Sequence, residues 1–151
     1  MQILVIDDDA GICRSLQIHL QHLGHEVDTA QTGNDGLQLL HNGHSAVAFV
    51  DLNLPDMSGL DILRNMKAEE SETLAIMITG EQDAKATIEA IRLGAFDYIR
   101  KPLDLDAILA SLAKAAEQID YKTSKSVFQF AESDARPEIV GADPKIIEVL
   151  K

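Results

Sequence analysis

Short apolar runs alternate along this chain with longer segments in which apolar residues recur every three or four positions. The runs Gln2–Asp7, Glu26–Ala30, Ala46–Asp51, Leu74–Thr79 and Phe96–Arg100 read as strands. Between the first two, Ile12, Leu16, Leu20 and Leu23 mark a helix over Gly11–Leu23, with Gly24 as its C-cap. A second helix is expected near Asn34–Leu40, closed by Asn42-Gly43, a third near Leu60–Glu70 and a fourth near Ala84–Leu93, stopped by Gly94. A last helix starts near Asp104, where Leu105, Ile108, Leu109, Leu112 and Ala116 form one apolar stripe. Leu54–Gly59, which contains Pro55, is a loop. The pattern is (βα)5. Strands separated by helices of this length need crossover connections, so the sheet is parallel, and nearly continuous apolar strands fit a sheet covered on both faces. The expected fold is α/β, a doubly wound five-stranded parallel sheet of flavodoxin-like topology.

The character changes after Tyr121. Residues 122–136 are rich in Lys, Ser, Ala and acidic residues and read as a linker or a fraying helical extension. Apolar residues return in Glu138-Ile139-Val140-Gly141, and Asp143-Pro144 is a suitable N-cap and first-turn pair for another helix. Residues 137–151 are expected to open a second domain; the alternative is a tail that packs on the first.

At 151 residues, 46% of them hydrophobic, the chain has room for one ordinary domain with a real core. The single cysteine, Cys13, cannot pair within the chain and reads as a small helix residue. Met1–Ile6 lacks the basic start, apolar core and cleavage site of a signal peptide, and no apolar stretch approaches the ~20 residues that span a bilayer. A cytoplasmic protein is the expectation, with no membrane partner. A formal net charge of -12 at pH 7 repels nucleic-acid phosphates but attracts divalent cations wherever carboxylates cluster.

Four of the strands stop at residues suited to a phosphoryl group or a cation: Asp7-Asp8-Asp9, Asp51, Thr79 and Lys101-Pro102. In an open parallel sheet the ligand crevice lies at the carboxyl ends of the strands, so these residues predict one site. Asp7, Asp8 and Asp51 brought together repel one another, and a hard divalent cation such as Mg²⁺ removes that cost while using only one or two carboxylates. Asp51 is then the candidate nucleophile, attacking phosphorus to give an acyl phosphate. Lys101 supplies charge to the equatorial oxygens and Thr79 a hydroxyl donor.

At Ile3–Asp9, Asp51-Leu52-Asn53-Leu54-Pro55-Asp56-Met57-Ser58-Gly59, Ile78-Thr79-Gly80 and Gly94–Pro102 the chain resembles the CheY-like receiver domain of two-component response regulators. The likeness covers about residues 1–121. It implies a phosphoacceptor switch, not an enzyme in its own right beyond Mg-dependent self-phosphorylation and autodephosphorylation. Residue by residue it makes Asp51 the phosphoacceptor, Asp8 the main metal-ligating carboxylate and Asp7 its partner through water. The Asn53 backbone carbonyl becomes the third protein ligand, for Mg²⁺ or Mn²⁺. Thr79 matches the switch hydroxyl, Tyr98 the aromatic that turns inward on activation, and Lys101 the phosphate-pairing lysine, followed by a cis peptide to Pro102. Gly80 stands where the family has a small residue that leaves space beside the phosphoryl group. Asn53 and Glu81 match positions that tune phosphoryl lifetime, here expected to be short to moderate. The partners implied are a cognate histidine kinase and a second copy bound through the fourth helix, fifth strand and fifth helix. The stripe running toward Ile119 either extends that dimer contact or packs on the sheet.

The segment Glu138–Leu150 resembles the opening of the AAA+ ATPase domain of NtrC-like activators of sigma-54 transcription. The phosphate loop Gly-x-x-x-x-Gly-Lys-[Ser/Thr] is absent from the sequence, so a transcription-activating output domain is expected beyond it.

A haloacid-dehalogenase-like phosphohydrolase is the competing reading, with Asp7 as nucleophile, Asp9 as general acid, Thr79 ending a strand and Lys101 as its lysine. It leaves Asp51 and the Leu54–Gly59 loop unexplained. A flavodoxin-like cofactor site is disfavoured by three aspartates where a phosphate loop belongs. The histidines His19, His22, His25, His41 and His44 read as surface or helix-end residues, because Gly24 interrupts the spacing of the first three. The Glu69-Glu70-Ser71-Glu72 run is a solvated loop.

Overall fold

A computed structural model describes residues 1–135 of the chain, with side chains through Lys122. Strands β1 (Gln2–Ile6), β2 (Glu26–Ala30), β3 (Val47–Asp51), β4 (Leu74–Thr79) and β5 (Asp97–Arg100) alternate with helices α1 (Ala10–His22), α2 (Gly33–Asn42), α3 (Gly59–Ala68), α4 (Ala84–Arg92) and α5 (Leu105–Ala135). The five strands form one parallel sheet in the order β2-β1-β3-β4-β5. The doubly wound (βα)5 architecture expected from the hydrophobic pattern is therefore the one adopted.

Period-two alternation along the strands divides the apolar residues between the two faces of the sheet. Leu4 and Ile6 of β1, Ala48 and Val50 of β3 and Ala75 and Met77 of β4 pack with Ile62, Leu63 and Met66 of α3 and Ala90 of α4. The intervening Ile3, Val5, Val47, Phe49, Ile76 and Ile78 are fully buried on the other face, where α1 and the first turns of α5 contribute buried Leu16, Leu20, Ile108 and Leu112. Burial of a side chain of this size stabilises the fold by roughly 1.5–3 kcal/mol.

Helix starts follow from local chemistry. Asp9, Thr32 and Ser58 are extended N-caps whose side chains accept from the first turns of α1, α2 and α3, and Ser58 forms a reciprocal capping box with Asp61. Helix α1 ends at a Leu23 cap, one residue before the expected Gly24, which follows in the left-handed region at φ 95°. That conformation lets Gly24 N–H reach Gln21 O at 2.9 Å.

Residues 1–115 form one compact unit, and a second begins at Ala116. Of the segment expected as linker, residues 122–135 are helical and continue α5. Arg136 and the 137–151 segment lie outside the described residues.

Candidate phosphoryl-transfer site

The strand order reverses between β1 and β3, and the carboxyl ends of these adjacent strands place Asp7 and Asp51 side by side. Both are buried, at 0% and 2% exposure, whereas Asp8 is exposed. Oxygens of Asp7, Asp8 and Asp51 all lie within 4.8 Å of one another.

The two buried carboxylates are held alike. Asp9 N donates to Asp7 Oδ1 at 2.9 Å, and Asn53 N donates to Asp51 Oδ1 at 3.0 Å. Each side chain therefore takes the main-chain N–H two residues on and turns its second oxygen into the crevice. Lys101 Nζ lies 3.0 Å from Asp51 Oδ2 and 3.7 Å from Asp7 Oδ2, and the latter has no hydrogen-bond partner.

Burial pushes the Asp7 carboxyl up from its ordinary 3.8 to about 6, a rise opposed by the Asp9 N–H and reinforced by the Asp51 charge. Burial alone lowers the affinity of Lys101 for its proton, but its bond to Asp51 and the charges of Asp51, Asp7 and Asp8 outweigh it and raise its pKa. An orphaned buried oxygen beside two more carboxylates suits a divalent cation with oxygen ligands, so the residues present fit such an ion.

Thr79 closes β4, is 1% exposed, and accepts from Lys101 N through its carbonyl at 2.7 Å. That bond carries the β4–β5 ladder one residue past Arg100 and delivers Lys101 to the site. The Lys101–Pro102 peptide is cis, as the resemblance implied. Tyr98 is 45% exposed, and Glu81 is exposed in the turn after β4.

Asp9 is not among the three clustered carboxylates. Its Oδ1 accepts from Gly11 N at 2.8 Å and Ile12 N at 3.2 Å, capping α1. Lys101 is also nearer to Asp51 than to Asp7. The capping role of Asp9 and the closer pairing of Lys101 with Asp51 both weigh against the phosphohydrolase reading. Buried Cys13, its thiol pushed up to about 11 by burial and by the Asp7 charge, donates to Asp7 O. It is an inert packing residue.

Three aspartates make contacts that local sequence does not signal. Asp56 accepts from Gly33 N at 2.7 Å and Asn34 N at 2.9 Å, pinning the loop after β3 to the start of α2. Those two N–H bonds lower its pKa. Asp97 accepts from the buried Ser111 Oγ at 2.8 Å and pairs with Lys114 at 3.0 Å, fastening β5 to α5. Asp83 Oδ2 accepts from Gly80 N at 2.8 Å and Asn53 Nδ2 at 3.0 Å, so the Asn53 amide is committed to Asp83. A Cβ on Gly80 would meet that Asp83 oxygen at 3.2 Å, which makes Asp83 its close neighbour. An aspartate just before a helix signals a cap in sequence, and only coordinates show that it turns to the loops instead.

Comparison with known proteins agrees with this geometry. Residues 3–113 match the response regulator receiver domain family. The chain is 31% identical over 121 residues to the uncharacterized transcriptional regulatory protein YkoG of Bacillus subtilis, covering 80% of this chain and 53% of that protein. A response regulator receiver domain protein from Clostridium thermocellum superposes with a TM-score of 0.75 at 32% identity over 80% of this chain and 97% of its own. NtrX from Brucella abortus, solved in complex with ATP, aligns at 30% identity with a TM-score of 0.75 over 95% of this chain but 31% of its own. The chain thus spans about half the length of the first of these and under a third of NtrX. With carboxylates gathered at the strand-order reversal, a lysine delivered from β5 and a family match across both, this chain belongs to the response regulator receiver domain family.

Proposed function

We propose that Asp51 is the residue that takes the phosphoryl group, from a phosphohistidine of a cognate histidine kinase. The observation that carries this is the setting of Asp51 Oδ2, 3.0 Å from Lys101 Nζ beside the unpartnered Asp7 Oδ2. An Asp51 oxygen attacks phosphorus, an O–P bond forms, the P–N bond to the kinase imidazole breaks, and the imidazole leaves as a neutral ring once protonated. Lys101 moves its charge from the carboxylate to the equatorial phosphoryl oxygens, and Thr79 donates its hydroxyl to one of them. Asp8, Asp51 and the Asn53 carbonyl, with Asp7 through water, would hold Mg²⁺ or Mn²⁺. The ion supplies neutralising charge for the transferred group.

The modified Asp51 carries roughly -1.5 to -2 charge and three acceptor oxygens. Thr79 is drawn toward them and Tyr98 turns inward behind it. Shifting such a switch from about 1:99 to 99:1 takes roughly 5.5 kcal/mol, within reach of several charge-assisted hydrogen bonds. The face that responds, α4, β5 and the start of α5, carries exposed Ile88, Ile91, Tyr98 and Leu105, apolar surface suited to a second copy. The resemblance of Glu138–Leu150 to the opening of an AAA+ domain, together with the likeness to NtrX, which was crystallised with ATP, supports reading the 137–151 segment as the start of an ATP-binding output domain that activates transcription. The net charge of -12 argues against direct nucleic-acid binding by this segment of the regulator. Asn53 and Glu81 set a short to moderate lifetime, an assignment to be abandoned if the phosphorylated protein persists for many hours.

Incubation with Mg²⁺ and acetyl phosphate tests the proposal by mass. Wild type gains one phosphoryl group and Asp51→Asn gains none. A mutant that still gains the mass overturns the assignment, and labelling at Asp7 would favour the hydrolase chemistry.

A further inference from the structure

We infer that Asp83 is a latch with two alternative sets of partners, and that modification of Asp51 switches it from one to the other. The inference rests on Asp51 being the phosphoacceptor. A single oxygen, Asp83 Oδ2, ties two loops together across the site. It holds Gly80 N, the residue after Thr79, at 2.8 Å and Asn53 Nδ2 at 3.0 Å. Asn53 is in turn bonded through its main-chain N to Asp51 Oδ1 at 3.0 Å. One residue therefore separates Asp83 from the proposed acceptor.

The second set of partners is vacant. Asp83 occupies the N-cap position of α4 but gives α4 no side-chain bond, and its backbone sits at φ -102°, ψ 25°. The caps of α1, α2 and α3 are extended and do bond their helices, and Asp104 Oδ1 accepts from Asp106 N at the start of α5. Helix α4 also has no acidic residue in its first turn. It is the least well started helix of the five, and the residue able to correct this is engaged elsewhere.

A phosphoryl group on Asp51 acts on the latch in two ways. Its added negative charge repels the Asp83 carboxylate, and its oxygens compete for the Asn53 amide and the Gly80 N–H. Released, Asp83 can adopt the extended conformation of an N-cap and accept from the N–H groups of Lys85 and Ala86. The charge on β3 is thereby converted into order at the start of α4. In the resting protein the same bonds oppose modification, because they must be broken for it to proceed.

Titration of the full chain with beryllofluoride in Mg²⁺, followed by amide NMR, tests this. In wild type the Gly80 resonance shifts on binding, and Lys85 and Ala86 gain protection from hydrogen exchange. Asp83→Ala is half-saturated at about tenfold lower beryllofluoride, roughly the effect of one charge-assisted hydrogen bond no longer opposing the change, but gains no protection at those amides. Asp83→Asn, which can still cap, is intermediate in affinity and retains the gain. Equal or weaker binding by Asp83→Ala, or a wild type that gains no protection at Lys85 and Ala86, overturns the latch. Undiminished binding by Asp51→Asn instead overturns the phosphoacceptor reading, and the latch with it.

Discussion

Gly59 is the first residue of α3 and stands against the end of the strand that carries Asp51. A Cβ built there would lie 2.5 Å from Asp51 O, 2.9 Å from Leu52 Cα and 3.1 Å from Asp51 C. Ordinary contacts need about 3.5 Å, so Gly59→Ala must separate α3 from the end of β3 by roughly 1 Å. The obstructing atoms are backbone of a strand paired on both sides, and no rotamer change relieves them. The bond from Gly59 N to Leu52 O, 2.9 Å, is stretched by the same movement. Overpacking costs about 1–3 kcal/mol and a weakened hydrogen bond up to about 1 kcal/mol. The helix preference of alanine returns roughly 0.5–1 kcal/mol. The net expectation is a loss of roughly 2 kcal/mol. Gly33→Ala is the control, because the three atoms nearest its Cβ all belong to the Met57 side chain, at 2.3 to 3.1 Å, and a flexible methionine can withdraw. That variant should stay within about 1 kcal/mol of wild type. Urea unfolding followed by circular dichroism measures both, since the chain has no tryptophan. Acetyl phosphate labelling measures the consequence at Asp51, where a displacement near 1 Å slows transfer by up to roughly 100-fold. A Gly59→Ala protein as stable as Gly33→Ala would refute the steric argument. A destabilised one labelled at the wild-type rate would refute the link between α3 and the reactive carboxylate.

Asp7→Asn should stabilise the metal-free protein at pH 7, because raising the Asp7 pKa from 3.8 to about 6 corresponds to roughly 3 kcal/mol against folding in the ionised form. Wild type holds that proton more tightly when folded, so its stability falls as pH rises from about 4 through 6. The advantage of the variant grows over this window in urea melts and disappears below it. Asp97→Asn should act in the opposite sense. Burial raises the Asp97 pKa, but the bonds from Ser111, Lys114 and Tyr98 N outweigh it and hold the pKa below 3.8. The wild type is then more stable by about 1 kcal/mol at neutral pH, a difference lost as pH falls below that value. Asp9→Ala should cost about 1 kcal/mol by uncapping α1 while leaving the mass gained from acetyl phosphate unchanged; loss of labelling would restore Asp9 as a reacting acid.

The parts of this fold legible in the sequence are those fixed by chain-local rules. Continuous apolar runs such as Val47–Val50 identify buried strands because both faces of a parallel sheet are covered, and the order of strands and helices then restricts the topology. Convergence of Asp7, Asp51 and Lys101 follows from that topology alone, since all three lie at the same end of the sheet. Boundaries were less legible: β1 stops at Ile6 because Asp7 Oδ1 takes the N–H of Asp9 in a turn, and α1 begins one residue before Gly11 because Asp9 caps it. Least legible were carboxylates that serve a distant partner. Asp56 looks like a turn residue after Pro55 and caps a helix 23 positions away, and Asp83 looks like a cap and reaches Asn53, 30 positions away. Nothing in local sequence distinguishes an aspartate bonding its own helix from one bonding another loop.

The charge balance of the site bears directly on how Asp51 can be modified. Three carboxylates face one ammonium group, leaving an excess of two negative charges when all are ionised. An approaching phosphoryl group is repelled by that excess, which a divalent cation held by these carboxylates would offset. Both oxygens of Asp51 are already engaged, Oδ1 by Asn53 N and Oδ2 by Lys101 Nζ. Formation of an O–P bond must therefore redirect Lys101, which is joined through its own N–H to Thr79 O. The polar neighbours of Asp51 in the described site are thus a lysine, a main-chain N–H and the carboxylates of Asp7 and Asp8. The proposed acyl phosphate on Asp51 would therefore be felt at β4 and β5 through Lys101 and its bond to Thr79 O.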